Sequence, residues 1–187
     1  MLILVPLTFA APPSSVLNGE AGTLAWTVTP SAEGIHIEGR SPKWTVSHDA
    51  SAQLAPKRTV HQDIGGTPVT LTWVEGGVDV IGAHGTSHLA GANLWDADTL
   101  DIRLGAAVAG GRTDFAFSAV DPTAAKVYSF DSAKVGEETC GSVPCTHIRV
   151  QLTGVLRWVG PTWEYWYGAG GKLLRFTGPA GDYEVAP

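Results

Sequence analysis

The sequence is short of charge, of sulfur and of any long apolar run. Charged residues make up 16% of its 187 positions, and the net charge of −6 comes without a basic stripe or a run of like charges. Nucleic acid and anionic lipid headgroups find no electrostatic footprint on such a chain, so neither is an expected partner. Cys140 and Cys145, the only cysteines, are too few for a disulfide framework and lack the C-x-x-C spacing of a redox or zinc pair. Flanking Gly141-Ser142-Val143-Pro144, they fit a disulfide across a turn, which an exported protein would keep oxidised. No apolar stretch reaches the ~20 residues that a spanning helix requires. Also missing are a G-x-S-x-G elbow, a phosphate loop and a nucleophile beside an identifiable base, so no reaction and no cofactor is indicated.

What is present is the material of strands and turns. Apolar residues make up 44%, with 23 glycines, 12 prolines and seven tryptophans, a balance that favours short strands joined by tight turns. Met1 to Ala10 is an apolar segment with small side chains at Thr8-Phe9-Ala10, the pattern of an export signal, although no positive charge precedes Leu2. The expected organisation is therefore a signal peptide over 1–10, a linker over 11–22 and a single antiparallel β domain over 23–187. Its expected location is periplasmic or secreted, as a monomer.

Alternation is clearest toward the end of the chain. Ile148, Val150 and Leu152 alternate with His147, Arg149 and Gln151; Trp163, Tyr165 and Tyr167 share one face and Trp166 the other; Leu174 and Phe176 pattern the return strand. Leu156 and Trp158 are read as a further short strand between them. Earlier, Leu24-Trp26-Val28, Ile35-Ile37, Trp44-Val46 and Val69-Leu71-Trp73 give half-buried strands, and Glu75-Gly76-Gly77 a hairpin turn. The more polar piece from Leu54 to Ile64, with Pro56-Lys57-Arg58, is expected on an edge or in a loop. Phe115-Phe117 and Tyr128-Phe130 add two more strands. Before these, from Asp98 to Ala109, the apolar residues Leu100, Leu104, Ala107 and Val108 fall at i, i+4, i+7 and i+8, one stripe of a helix. Asp96 or Asp98 can cap its start and Gly110-Gly111 its end. The sum is a mainly β protein: a strongly curved antiparallel sheet, half-barrel or barrel, of about nine or ten strands, plugged by one short helix near 98–109.

The run Leu152-Thr153-Gly154-Val155-Leu156, then Trp163 to Tyr167, Gly170-Gly171-Lys172-Leu173-Leu174 and Tyr183-Glu184-Val185, resembles the end of uncharacterised exported bacterial proteins with a lipoprotein-carrier-like half-barrel. Asn93-Leu94-Trp95 and the helix after it are similar to their middle. Gly168 departs from the aspartate usual there. The resemblance implies an envelope location and a concave apolar surface of the kind that holds acyl chains in the carriers.

Three functions compete on these residues. The first is a non-enzymatic half-barrel that binds an apolar or acyl ligand, or an envelope scaffold, with Trp73, Trp95, Leu100, Leu104, Trp158 and Trp166 toward the cavity. The second is a carbohydrate-binding sandwich with exposed, coplanar tryptophans. The third is a metal-dependent hydrolase using His84, His88 and Asp96, since H-x-x-x-H suits a metal on a helix but spans about 13 Å in a strand. His36, His48, His61 and His147 are assigned to the polar sides of strands, and Glu164 with Asp182 or Glu184 is the one carboxylate pair with glycosidase potential.

Overall fold

The computed structural model describes residues 11–185. The expected signal segment lies outside the described residues. Among them the chain forms one sheet of fifteen strands. Eight run outward as an antiparallel meander: β1 (Ser15–Gly19), β2 (Gly22–Ser31), β3 (Gly34–Arg40), β4 (Trp44–Ala50), β5 (Pro56–Asp63), β6 (Val69–Val74), β7 (Gly77–Gly82) and β8 (Gly85–Ala90). The second arm comprises β9 (Trp95–Asp96), β10 (Phe115–Asp121), β11 (Lys126–Cys140), β12 (Val143–Leu152), β13 (Thr162–Tyr167), β14 (Leu173–Gly178) and β15 (Gly181–Glu184). The arms join in the middle of the sheet, where β1 pairs antiparallel with β15 at Asn18 and Glu184. The expected linker thus contributes a strand, with Leu17 fully buried.

This topology forces curvature. The two free edges of the sheet are β8 and β9, yet only residues 91–94 connect them, a span of about 14 Å at full extension. The sheet must roll until its edges approach. They do not pair with each other. The chain around β9 instead passes over one face of β4–β6: Asp96 reaches His48 and Thr59, and the Trp73 indole N–H donates to the Leu94 carbonyl at 3.2 Å. The sheet is curved and barrel-like, not closed.

Helix α1 (Leu100–Ala109) follows a 3₁₀ turn over Ala97–Thr99. Asp96 has extended backbone and its carboxylate accepts the Asp98 N–H, the predicted cap. Gly111 at φ +78° ends the helix. Leu104 is fully buried, packed with Leu100 and Ile102 against Tyr165, Tyr167 and Leu173 in the main core, as the plug stripe predicts. The helix approaches the Ala169–Gly171 turn so closely that a Cβ on Gly105 would lie 2.3 Å from the Gly171 carbonyl oxygen. A second core cluster joins Leu94 and Val120 to Leu71, Val78 and Val80 of the outer strands.

Several expectations are corrected. The sheet has fifteen strands where about nine or ten were expected, because the missed ones lack alternation; β8 is almost wholly exposed. The segment bearing Leu156 and Trp158 is a 3₁₀ turn over Gly154–Trp158, not a strand. The polar stretch with Pro56 is β5, paired on both sides by β4 and β6. Pro56 stands at its first position, opposite a bulge at Asp49/Ala50, where a missing N–H is tolerated. Cys140 and Cys145 form a disulfide at the tip of the β11–β12 hairpin.

Candidate functional site

One buried row crosses the first arm of the sheet. Ile37, His48, Thr59, Leu71 and Val80 are aligned from β3 to β7. A histidine and a threonine in an apolar row require polar company, and Asp96 supplies it. His48 Nδ1 lies 2.9 Å from Asp96 Oδ2 and 2.7 Å from Thr59 Oγ1, and the Thr59 hydroxyl donates to the same carboxylate. This is not the relay of a nucleophilic site. There the histidine bridges hydroxyl and carboxylate through different ring nitrogens, whereas here one nitrogen meets both groups, and none of the three residues is more than 2% exposed. The triplet pins β9 to the sheet.

His61, one register step along β5, makes the parallel contact to the 3₁₀ turn, its Nδ1 2.9 Å from Asp98 Oδ2. Burial disfavours its charged form, but the Asp98 hydrogen bond and charge, helped by Asp63, outweigh this and raise its pKa to about 9. Burial is also the main cause raising Asp98 to about 6, with Asp96 adding repulsion and His61 opposing it.

Two cavities flank this region, and helix α1 faces both. The larger, about 950 Å³, is an open cleft between the helix, β10–β11 and the loop at Ala52–Leu54. Arg103, Ala106, Ala107 and Gly110 line it, which is the i, i+3, i+4, i+7 face of the helix. Opposite stands an aromatic ladder in which Trp95 stacks on Phe117 at 4.6 Å and Phe117 on Phe130 at 5.3 Å. Two guanidinium groups cover neighbouring rings of the cleft: Arg103 lies 4.4 Å from the Trp95 centroid and Arg112 4.8 Å from that of Phe115. Among the described residues, the buried Arg103 Nη1 has no hydrogen-bond partner. Burial lowers the Arg103 pKa to about 10, which leaves it charged at neutral pH.

The smaller cavity, about 210 Å³, opens beside the turn before β4 and is walled by Trp26, Trp44, Trp163, Tyr165, Phe176 and Tyr183, with Asp98 and Asp101 at the helix start. Phe130 lines both cavities.

Of the six residues assigned to a cavity from the sequence, only Trp95 lines the larger cleft and Leu100 the smaller cavity. Leu104 is sealed in the core. Trp73 packs edge-on against His48, and Trp158 is 85% exposed. Trp166 lies on the other face of β13, stacked on His147 at 4.1 Å under the Arg175 guanidinium. The six do not form one site. Nor do His84, His88 and Asp96: His84 is exposed in the β7–β8 turn, His88 pairs with Asp79 at 2.8 Å, and Asp96 is buried with His48. Among the described residues no cluster of three or more His, Cys, Asp or Glu has metal-holding geometry. Glu164 is held by His147 and Arg149, away from the role of a free catalytic carboxylate. Arg103 and Arg112 are missed by a sequence reading that follows only the apolar stripe of the helix; a lone charge on another face of the helix and one just past its end were the available signal. His48 and His61 are misplaced by it because nothing local shows that Asp96 and Asp98 will meet them.

No family model matches the chain, and no curated protein matches it. Among solved structures it is similar to a beta-barrel-like protein of a domain of unknown function, DUF1849, from Brucella abortus, with a TM-score of 0.63 at 10% identity, covering 91% of this chain and 93% of that one. The likeness carries the β-barrel-like fold and does not single out lipoprotein carriers.

Proposed function

We propose that the protein is a non-enzymatic binding module for an amphipathic molecule with an acyl chain and an anionic head, held in the larger cleft. The observation that carries this reading is Arg103: a charged side chain whose Nη1 is buried and, among the described residues, unpartnered, at the wall of a cavity that combines an apolar side of Leu54, Trp95, Phe115, Phe117 and Phe130 with Arg112 and polar residues such as Asn93 and Ser118. A buried donor without a partner is costly unless something accepts from it, and a carboxylate or phosphate does so in the geometry the guanidinium prefers. The volume falls within the usual range for small-molecule sites, about 300–1,000 Å³. The aromatic ladder offers a methylene chain a continuous apolar wall. The Cys140–Cys145 disulfide favours an oxidising compartment, in keeping with an exported protein, and among the described residues no helix is long and apolar enough to cross a membrane.

Isothermal titration with laurate and with dodecanol tests the reading. Laurate is expected to bind saturably and dodecanol at least about tenfold more weakly, and Arg103→Gln should bring laurate down to the level of dodecanol. Failure of both ligands to saturate would overturn the binding module, and equal affinity would overturn the role given to Arg103. The carbohydrate alternative needs two or three coplanar exposed rings, and of the tryptophans only Trp158 is largely exposed among the described residues.

A further inference from the structure

The smaller cavity carries carboxylates, Asp98 and Asp101, where the cleft carries the guanidinium groups of Arg103 and Arg112. We propose that it binds an organic cation, a primary or quaternary amine, between its aromatic walls and the Asp101 carboxylate. This site is distinct from the acyl-ligand cleft, since the two share only Phe130 among their lining residues.

Asp101 is 8% exposed, and the one side-chain hydrogen bond it makes among the described residues is from the Ile102 N–H to Oδ1 at 2.9 Å. It has no cationic partner there. Asp98, its neighbour in the cavity wall, is already matched by His61, so Asp101 is the carboxylate left to meet a ligand. The Trp26 indole N–H, also buried, makes no hydrogen bond of good geometry among the described residues, though it lies near enough to favour the charged form of Asp101. Burial dominates and raises the Asp101 pKa to about 7; a bound cation would offset that penalty. Lys43 stands exposed at the mouth and forms no ion pair with either carboxylate among the described residues.

The walls are suited to the same ligand. Trp26 and Trp44 meet at 42° with centroids 5.6 Å apart, and Tyr165 meets Phe176 at 43° and 5.1 Å, so two tilted aromatic pairs stand in the wall of this space. Aromatic faces attract cations through their quadrupoles, most strongly where water is excluded. The protein's own guanidinium groups cover Trp95, Phe115 and Trp166, and among the described residues none covers a ring of this cavity. A space of about 210 Å³ accepts a small head such as trimethylammonium and excludes a bulky ligand.

The test uses the full chain with its disulfide intact, and choline against its uncharged carbon isostere, in which a tert-butyl group replaces the trimethylammonium. Indole N–H resonances are followed by NMR, assigned through single Trp→Phe variants. Choline is expected to shift Trp26, Trp44 and Trp163 saturably and to leave Trp95 and Trp158 in place, with the isostere at least about tenfold weaker. Asp101→Asn should reduce choline to the affinity of the isostere. Should that variant fail to fold, Trp163→Leu, at a half-buried position of the wall, is expected to weaken choline by a similar factor. Equal binding of the two compounds, shifts confined to Trp95, or no saturation would each overturn the proposal. Laurate, by contrast, should move Trp95 and spare Trp26, so the two sites fail or stand separately.

Discussion

His48 on β4 and Asp96 on β9 lie 2.9 Å apart across 48 positions of sequence, and through this contact the far edge of the sheet is held against its first arm. Asp96 also accepts from Thr59 and caps the turn before the helix. Asp96→Ala should therefore cost about 3–5 kcal/mol, since it leaves buried polar partners without an acceptor. Urea melts of the variant, compared with an exposed control such as Asp182→Ala, measure this; a loss below about 1 kcal/mol would show that the triplet does not hold the edge.

Stability should fall as pH rises. His61 is raised to about 9, so its contribution is complete below its ordinary value of 6.5 and is lost as pH climbs through 9. Asp101, raised by burial to about 7 from 3.8, and Asp98, raised likewise, act in the same direction: each carboxyl folds more easily protonated, so stability declines as pH rises from 3.8 through the folded value. Each tenfold difference in proton affinity between the folded and unfolded chain is worth about 1.4 kcal/mol, so denaturant melts should show a loss of at least that order between pH 5 and pH 9. Asp101→Asn should flatten the part of the slope below pH 7. A profile that rises from pH 5 to pH 9 would contradict these assignments.

Leu104 is fully buried in the main core, the placement expected of a plug. Leu104→Ala is expected to cost about 2–5 kcal/mol as a core truncation, and the change should be independent of laurate. Gly105→Ala should also destabilise, because the added methyl meets the Gly171 carbonyl with backbone on both sides. A small loss at Leu104 coupled to altered laurate affinity would mark the helix as a lid.

Trp158 should be the most accessible tryptophan to acrylamide, at 85% exposure, and Trp158→Ser should stay within about 0.5 kcal/mol of the parent in denaturant melts. A core-sized loss there would place the 3₁₀ turn in the interior.

Reducing Cys140–Cys145 opens a short loop at a hairpin tip, its ends five positions apart, worth about 2 kcal/mol in the chain-entropy model. The reduced protein should keep its far-UV spectrum and melt at lower denaturant. Complete unfolding on reduction would assign the bond a larger role than pinning one hairpin.

The sequence alone determined what depends on neighbours in the chain. Period-two alternation in Ile148-Val150-Leu152 and period-3.6 spacing in Leu100-Leu104-Ala107-Val108 reflect which face each element must bury, and the Asp96 cap and the Cys140–Cys145 bond close within a few residues. Tertiary structure decided the rest. Whether Trp158 lies inside or outside, whether His48 and Thr59 are solvated or paired, and which face of the helix meets a cleft all turn on how far the sheet rolls. That roll follows from the short link from β8 to β9 and from the pairing of β1 with β15, the latter a contact between residues distant in sequence that leaves no local periodicity. Arg103 and Asp101, two positions apart and therefore on opposite faces of one helix, come to line different cavities only because the rolled sheet presents a space to each face.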